Sequence, residues 1–176
     1  WRKSDNFQAT KRDWESFCGF YWLHNDFPEH EKVENFLYAA FASANTVKFR
    51  EKSIELGELY LKNKEWKKFR ADVTFIMCNA YRLQADTTWE LALSLRSAMS
   101  TVDKDRAKKA KEQSAQYYQR FFLLCDDFLT VMPDHKYAKD FVNMMGAVYF
   151  RNRKYEELLE KFAGYENGEM NPSKGF

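Results

Sequence analysis

Glycine and proline are scarce, at six and three residues in a chain of 176. An all-β chain draws on both for its many tight turns, so that class is excluded. Any run close to the roughly 18 apolar residues of a membrane-crossing helix is also missing. Charge of one sign is lacking too. The 28 Lys and Arg nearly balance the 26 Asp and Glu, leaving a formal net charge of +2. No global field draws such a chain to polyanions, and any contact with one needs a local patch. Only three cysteines occur, Cys18, Cys78 and Cys125, each in an apolar run. An odd number without paired spacing predicts reduced, buried thiols rather than a disulfide framework. Signatures of catalysis are absent as well. There is no glycine-rich phosphate loop, no Gly-x-Ser-x-Gly elbow and no His-Glu-x-x-His. Cys18, His24 and His30 fall six residues apart, which does not bring ligands to one helical face. His30 and His135 stand at equivalent places beside helix starts and read as capping or packing residues. The expectation is a protein without catalytic residues, metal or cofactor.

What the chain does have is apolar content, 45% of its residues, with aromatics at 18%. That is too apolar for a disordered chain. The 3.6-residue period of amphipathic helices recurs along it. Trp14, Phe17, Cys18 and Tyr21 mark a helix over 12–24. Val33, Phe36, Leu37, Ala40, Phe41 and Ala44 mark one over 30–44, and Ile54, Leu56, Leu59 and Tyr60 one over 48–62. A stripe from Trp66 to Tyr81 follows. Asp86-Thr87-Thr88 has the composition of a helix cap, so a separate helix is expected over 89–99. A long helix opens at Asp103, another runs from Pro133-Asp134 to about 151, and a last one carries Tyr155, Leu158, Leu159 and Phe162. The prediction is an all-α protein of about eight helices with short links. Residues 1–11 read as a lead-in segment, 12–163 as the helical domain and 164–176 as a tail or connector. The chain opens on Trp1 rather than Met, as a processed chain or a piece of a longer one does.

The chain also repeats itself. Pro28-Glu29-His30 returns as Pro133-Asp134-His135, and Asn35-Phe36-Leu37 as Asp140-Phe141-Val142. Phe17 then corresponds to Phe122 and Phe27 to Met132. The offset from Pro28 to Pro133 is 105 residues, three periods of 35, and 35 residues is the length of one helix-turn-helix repeat. Over 139–172, Gly146 and Tyr149 stand on one helix and Tyr155, Leu158 and Phe162 on the next. A small residue permits close approach, and the large ones fill the groove beside it.

This stretch resembles the tetratricopeptide repeat in its order of small and aromatic residues, with Leu158 where that family carries Ala. It is also similar to the pentatricopeptide repeat, in the run from Tyr149 to Leu159 and in the ending Asn171-Pro172-Ser173. A second copy, with Ala80 and Tyr81 on its first helix, leans toward the latter family. The resemblance covers about half of the chain, and residues 33–60 fit neither pattern well. It implies a right-handed superhelix (a solenoid) of antiparallel helix pairs. For function it implies a non-enzymatic scaffold. The partners would be other protein subunits of a large complex, and RNA through basic patches. A mitochondrial ribosome or other ribonucleoprotein in the mitochondrial matrix is the expected setting, with the cytoplasm otherwise. The competing expectation is a free-standing tetratricopeptide-type adaptor.

Two basic runs are candidates for phosphate contact: Lys62, Lys64, Lys67, Lys68 and Arg70, and Lys104, Arg106, Lys108, Lys109 and Lys111. The second is the stronger, since Lys104, Lys108 and Lys111 share a helical face. Arg151, Arg153 and Lys154 form a third, smaller cluster. By position in the repeat, Asn143 and Ser173 are base-reading candidates and Phe75 is an unsuitable one. Trp1, Phe7, Trp22, Phe49, Phe150 and Phe176 lie outside the apolar stripes and are expected at partner contacts.

Overall fold

The computed structural model describes residues 12–97 and 100–166, with side chains to 163. The expected lead-in, most of the tail, and Trp1, Phe7, Met99, Ser173 and Phe176 lie outside the described residues. Every regular element among the described residues is a helix. These are α1 (Asp13–Asp26), α2 (Val33–Thr46), α3 (Arg50–Lys62), α4 (Arg70–Ser94), α5 (Thr101–Val131), α6 (Ala138–Arg151) and α7 (Tyr155–Glu166). None is long and apolar enough to cross a membrane. The chain divides into two compact units, Trp1–Met77 and Cys78–Phe176.

In the first unit α1 buries Ser16, Phe17, Phe20 and Leu23, and α2 buries Phe36, Leu37, Ala40, Phe41, Ser43 and Ala44. Their hydroxyls fix the direction of the pair: Ser16, early in α1, bonds Ser43, late in α2, at 3.2 Å. The two helices are therefore antiparallel. The fully buried Tyr60 late in α3 donates its hydroxyl to Glu34 early in α2. That hydroxyl also accepts the Phe69 N–H at 3.0 Å, and Glu34 accepts the Lys68 N–H at 3.0 Å. One buried phenol thus joins α2, α3 and the link to α4. The hole between α3 and α4 is at Gly57. A methyl there would lie 2.2 Å from Met77 Sδ and 2.9 Å from Phe41 Cε2.

In the second unit α5 buries Ala110, Ser114, Phe121, Cys125 and Phe128 along one stripe. Its partner is the later part of α4. Ser114 donates to the Ala85 carbonyl at 2.8 Å, and the Cys125 and Cys78 sulfurs are 3.7 Å apart. These two cysteines are buried as expected, and burial pushes the Cys125 thiol up. Cys18 is exposed, contrary to expectation, because α1 turns it to its outer side. Phe128 meets Phe141 at 4.2 Å and Phe122 meets Tyr149 at 4.7 Å between ring centres, which makes α5 and α6 antiparallel.

Among the described residues there are seven helices, and the stripes expected as separate helices over 66–81 and 89–99 share one of them, α4. Thr87 and Thr88 do not cap a new helix. Their hydroxyls donate to the Leu83 and Gln84 carbonyls, one turn back in the same helix. Asp86 is taken up by tertiary partners. It accepts the Tyr118 hydroxyl at 2.5 Å and pairs with Arg151 at 2.6 Å and Arg82 at 3.7 Å.

Burial, reinforced by Asp86, pushes the Tyr118 phenol up to about 12. An unfolded tyrosine ionises near 10, so above that pH the unfolded chain sheds a proton that the native one keeps. This contribution to stability is present below about pH 10 and is lost as pH rises toward 12. Urea unfolding should therefore show a falling midpoint over that window. The fall should be shallower in Tyr118→Phe, and an equal fall in both proteins would remove Tyr118 as its source.

The repeat extends to the backbone hydrogen bonds. Phe27 N–H bonds the Leu23 carbonyl, and His30 N–H the Phe27 carbonyl; at the same offset Met132 bonds Phe128, and His135 bonds Met132. His30 and His135 each accept a backbone N–H at Nδ1, from Lys32 and Tyr137. The next turns match as well. Phe49 N–H reaches the Ala44 carbonyl as Lys154 N–H reaches Tyr149, and Lys48 and Arg153 both take a left-handed φ, of 60° and 57°. So α1, α2 and α3 correspond to the second half of α5, α6 and α7. At this offset Phe41 corresponds to Gly146 and Gly57 to Phe162. In sequence the large and small residues trade places at these two positions, but the contact of Phe41 with Gly57 is not mirrored, since only Leu158 comes within 4 Å of a methyl at Gly146.

A basic groove as the candidate functional site

The last turns of α4 and the first turns of α5 enclose a groove of about 550 Å³. Trp89, Leu93, Leu95 and Arg96 line it from α4 and the residues that follow it, and Lys104, Lys108 and Lys111 from α5. Both sides belong to the second unit. On α4 Trp89 and Leu93 stand one turn apart and Arg96 follows in the turn after the helix, while Lys104, Lys108 and Lys111 repeat at i, i+4 and i+7 along α5. The antiparallel pairing through Ser114–Ala85 sets the two stripes face to face.

The first turns of α5 concentrate positive charge. The positive end of the dipole favours an acidic side chain in the first turn, and Asp103 stands there. Yet residues 101–111 carry five cations against only Asp103 and Asp105. Asp103 is engaged with Arg106 at 3.5 Å. Among the described residues no carboxylate pairs with Lys104, Lys108, Lys111 or Arg96. The lysine side chains are exposed, and Trp89 is half-buried. Four cations without a carboxylate partner thus stand beside an indole, a combination with the chemistry to attract an anion that also carries a flat apolar surface.

The structure brings together Lys104, Lys108 and Lys111. Lys109 is exposed and lies outside the groove wall. The earlier run is partly used in folding. Lys68 reaches Asn35 at 3.0 Å, and Arg70 donates to the Leu61 and Asn63 carbonyls, tying the α3–α4 link. Lys62, Lys64 and Lys67 remain exposed. Arg151 is held by Asp86, Arg153 serves a left-handed turn, and Asn143 is exposed on α6. Of the packing set, Tyr81 and Phe162 are buried, while Ala80, Tyr149 and Leu158 are half-buried. Tyr155 is exposed and meets the exposed Phe150. At Gly146 a methyl would meet nothing nearer than Leu158 Cδ1 at 3.8 Å, so the tight crossing is at Gly57.

Trp89, Leu93, Leu95 and Arg96 were not singled out from sequence. The available signal was the cation closing an otherwise apolar stripe at Arg96. Among the described residues no three His, Cys, Asp or Glu side chains gather as a metal site. Comparison with known proteins gives no match to any family model, curated protein or solved structure.

Proposed function

We propose that the chain is a non-catalytic helical-repeat scaffold that holds RNA in the groove between α4 and α5. The observation that carries this is the convergence of Lys104, Lys108, Lys111 and Arg96, without carboxylate partners, beside Trp89. The right-handed superhelix belongs to the same proposal and follows from the family resemblance, while the recurrence of both turns at one offset supports the repeat itself. The setting belongs to the proposal too, a ribonucleoprotein such as the mitochondrial ribosome, in which protein neighbours would cover exposed aromatics such as Trp22, Phe49 and Phe150.

The test is RNA binding by the full chain across a salt series. Four phosphate contacts give a slope of log K on log salt of about −3 for a single strand. An absence of binding at low salt by the folded chain would overturn the proposal. One observation favours the adaptor reading instead. Trp14 and Trp22 on α1 are 52% and 53% exposed and border, with Cys18 and Gly19, a shallow apolar surface. A folded chain that ignores RNA and binds a protein through that surface would be such an adaptor.

A further inference from the structure

We infer that the groove is a single-strand site that takes one unpaired nucleobase against the Trp89 indole and reads no base identity. This rests on the RNA-binding reading above and adds to it the form of the ligand and its lack of sequence preference.

Three observations carry the inference. The first is the division of the walls. Trp89, Leu93 and Leu95 make one side apolar, and the three lysines make the other cationic. A nucleotide has the same two faces, a π surface and a phosphate. An inorganic polyanion would use the lysines and leave the indole idle. The second is shape. A concavity of about 550 Å³ has the volume of a pocket for one small ligand. A stacked duplex keeps its bases inside and cannot lend one to such a pocket, whereas an unpaired base can enter and stack on an aromatic ring. At about 1.5 Å rise per residue, Lys104 and Lys108 lie about 6 Å apart along the helix axis, with Lys111 beyond them. A row of cations along an extended strand meets its successive phosphates. The third is what the lining omits. Among the described residues it contains no Asn, Gln, Ser, Thr, Asp or Glu. Arg96 and the lysines can donate to a guanine edge, but here phosphate takes them up, and with no further polar side chain at hand discrimination between bases is weak. The site differs in this from a one-base-per-repeat code, for which Asn143 was the candidate.

The experiment uses the full chain and three labelled probes of equal length: oligouridine, a mixed-sequence single strand, and a duplex RNA. The two single strands are expected to bind within about threefold of each other and the duplex more weakly. Trp89→Ala should lower single-strand affinity about 5- to 150-fold, the usual range for a lost base–aromatic stack. The salt slope should stay as it was. Trp89→Leu restores apolar bulk without a π face and should stay weak, while Trp89→Phe should recover most of the affinity. The Leu variant keeps the test sound if the Ala variant fails to fold. Unchanged affinity in Trp89→Leu, or duplex bound as well as single strand, overturns the single-strand inference and leaves RNA binding through phosphates intact. Binding of an acidic peptide that depends on Lys104, Lys108 and Lys111, with no RNA bound at low salt, overturns both.

Discussion

Gly57→Val is expected to lower the stability of the first unit by about 3 kcal/mol, the upper end of ordinary overpacking costs. The added Cβ falls 2.2 Å from Met77 Sδ, 2.8 Å from Met77 Cγ and 2.9 Å from Phe41 Cε2. Met77 is flexible, but both it and Phe41 have no exposed surface, so neither has solvent to move into. Gly57→Ala meets the same atoms and should also be destabilising, even after regaining about 1 kcal/mol of helix propensity. Gly146→Ala is the control. Its methyl meets only Leu158 Cδ1 at an ordinary 3.8 Å, so it should be neutral or stabilising by up to about 1 kcal/mol. Equilibrium urea unfolding of the three variants checks the set. A Gly57→Ala protein as stable as Gly146→Ala would contradict the packing described for α2, α3 and α4.

The second large effect belongs to Asp86. Its side chain is only 13% exposed, and it joins Tyr118 on α5 to Arg151 on α6 and Arg82 on its own helix. Asp86→Ala leaves a half-buried phenol and a guanidinium without their acceptor. Removing one member of a fully buried pair costs about 3–5 kcal/mol. Arg151 is 47% exposed and can recover water, so about 2–3 kcal/mol is expected here. Asp86→Asn keeps an acceptor for Tyr118 and should lose less. The double variant Asp86→Ala, Tyr118→Phe should be destabilised by less than the sum of its parts, because the two share one bond. Strict additivity in thermal unfolding would show that the bond between α4 and α5 contributes nothing.

Asp86 also shows where sequence stops informing the fold. Asp-Thr-Thr has the side chains of a helix start, and locally nothing distinguishes a cap from a helix interior. The decision is made by Tyr118 and Arg151, which are 32 and 65 positions away in the chain (86 to 118 and 86 to 151). The turns at Pro28 and Pro133 were legible because proline and histidine act within a few residues of themselves. The lysine stripe was legible for the same reason, since i, i+4, i+7 spacing is a local fact. Trp89 and Arg96 joined it only through the antiparallel pairing of α4 with α5, which no local pattern specifies. Gly57 was missed because a glycine within a helix declares a close neighbour without naming it. Its partners Phe41 and Met77 lie 16 and 20 positions away in the chain (41 to 57 and 57 to 77), beyond the reach of a local pattern.

The most direct test of the groove is a comparison of two charge reversals of equal size. One variant carries Lys104→Glu, Lys108→Glu and Lys111→Glu; the other carries Lys62→Glu, Lys64→Glu and Lys67→Glu. Both change the net charge by the same amount, and all six lysines are exposed. With single-stranded RNA at low salt, the groove variant should lose about 100-fold or more in affinity and most of its salt dependence, while the other stays near the parent chain. Equal losses in both would mean that overall charge, not the groove, binds RNA, and no loss in the groove variant would contradict the account outright.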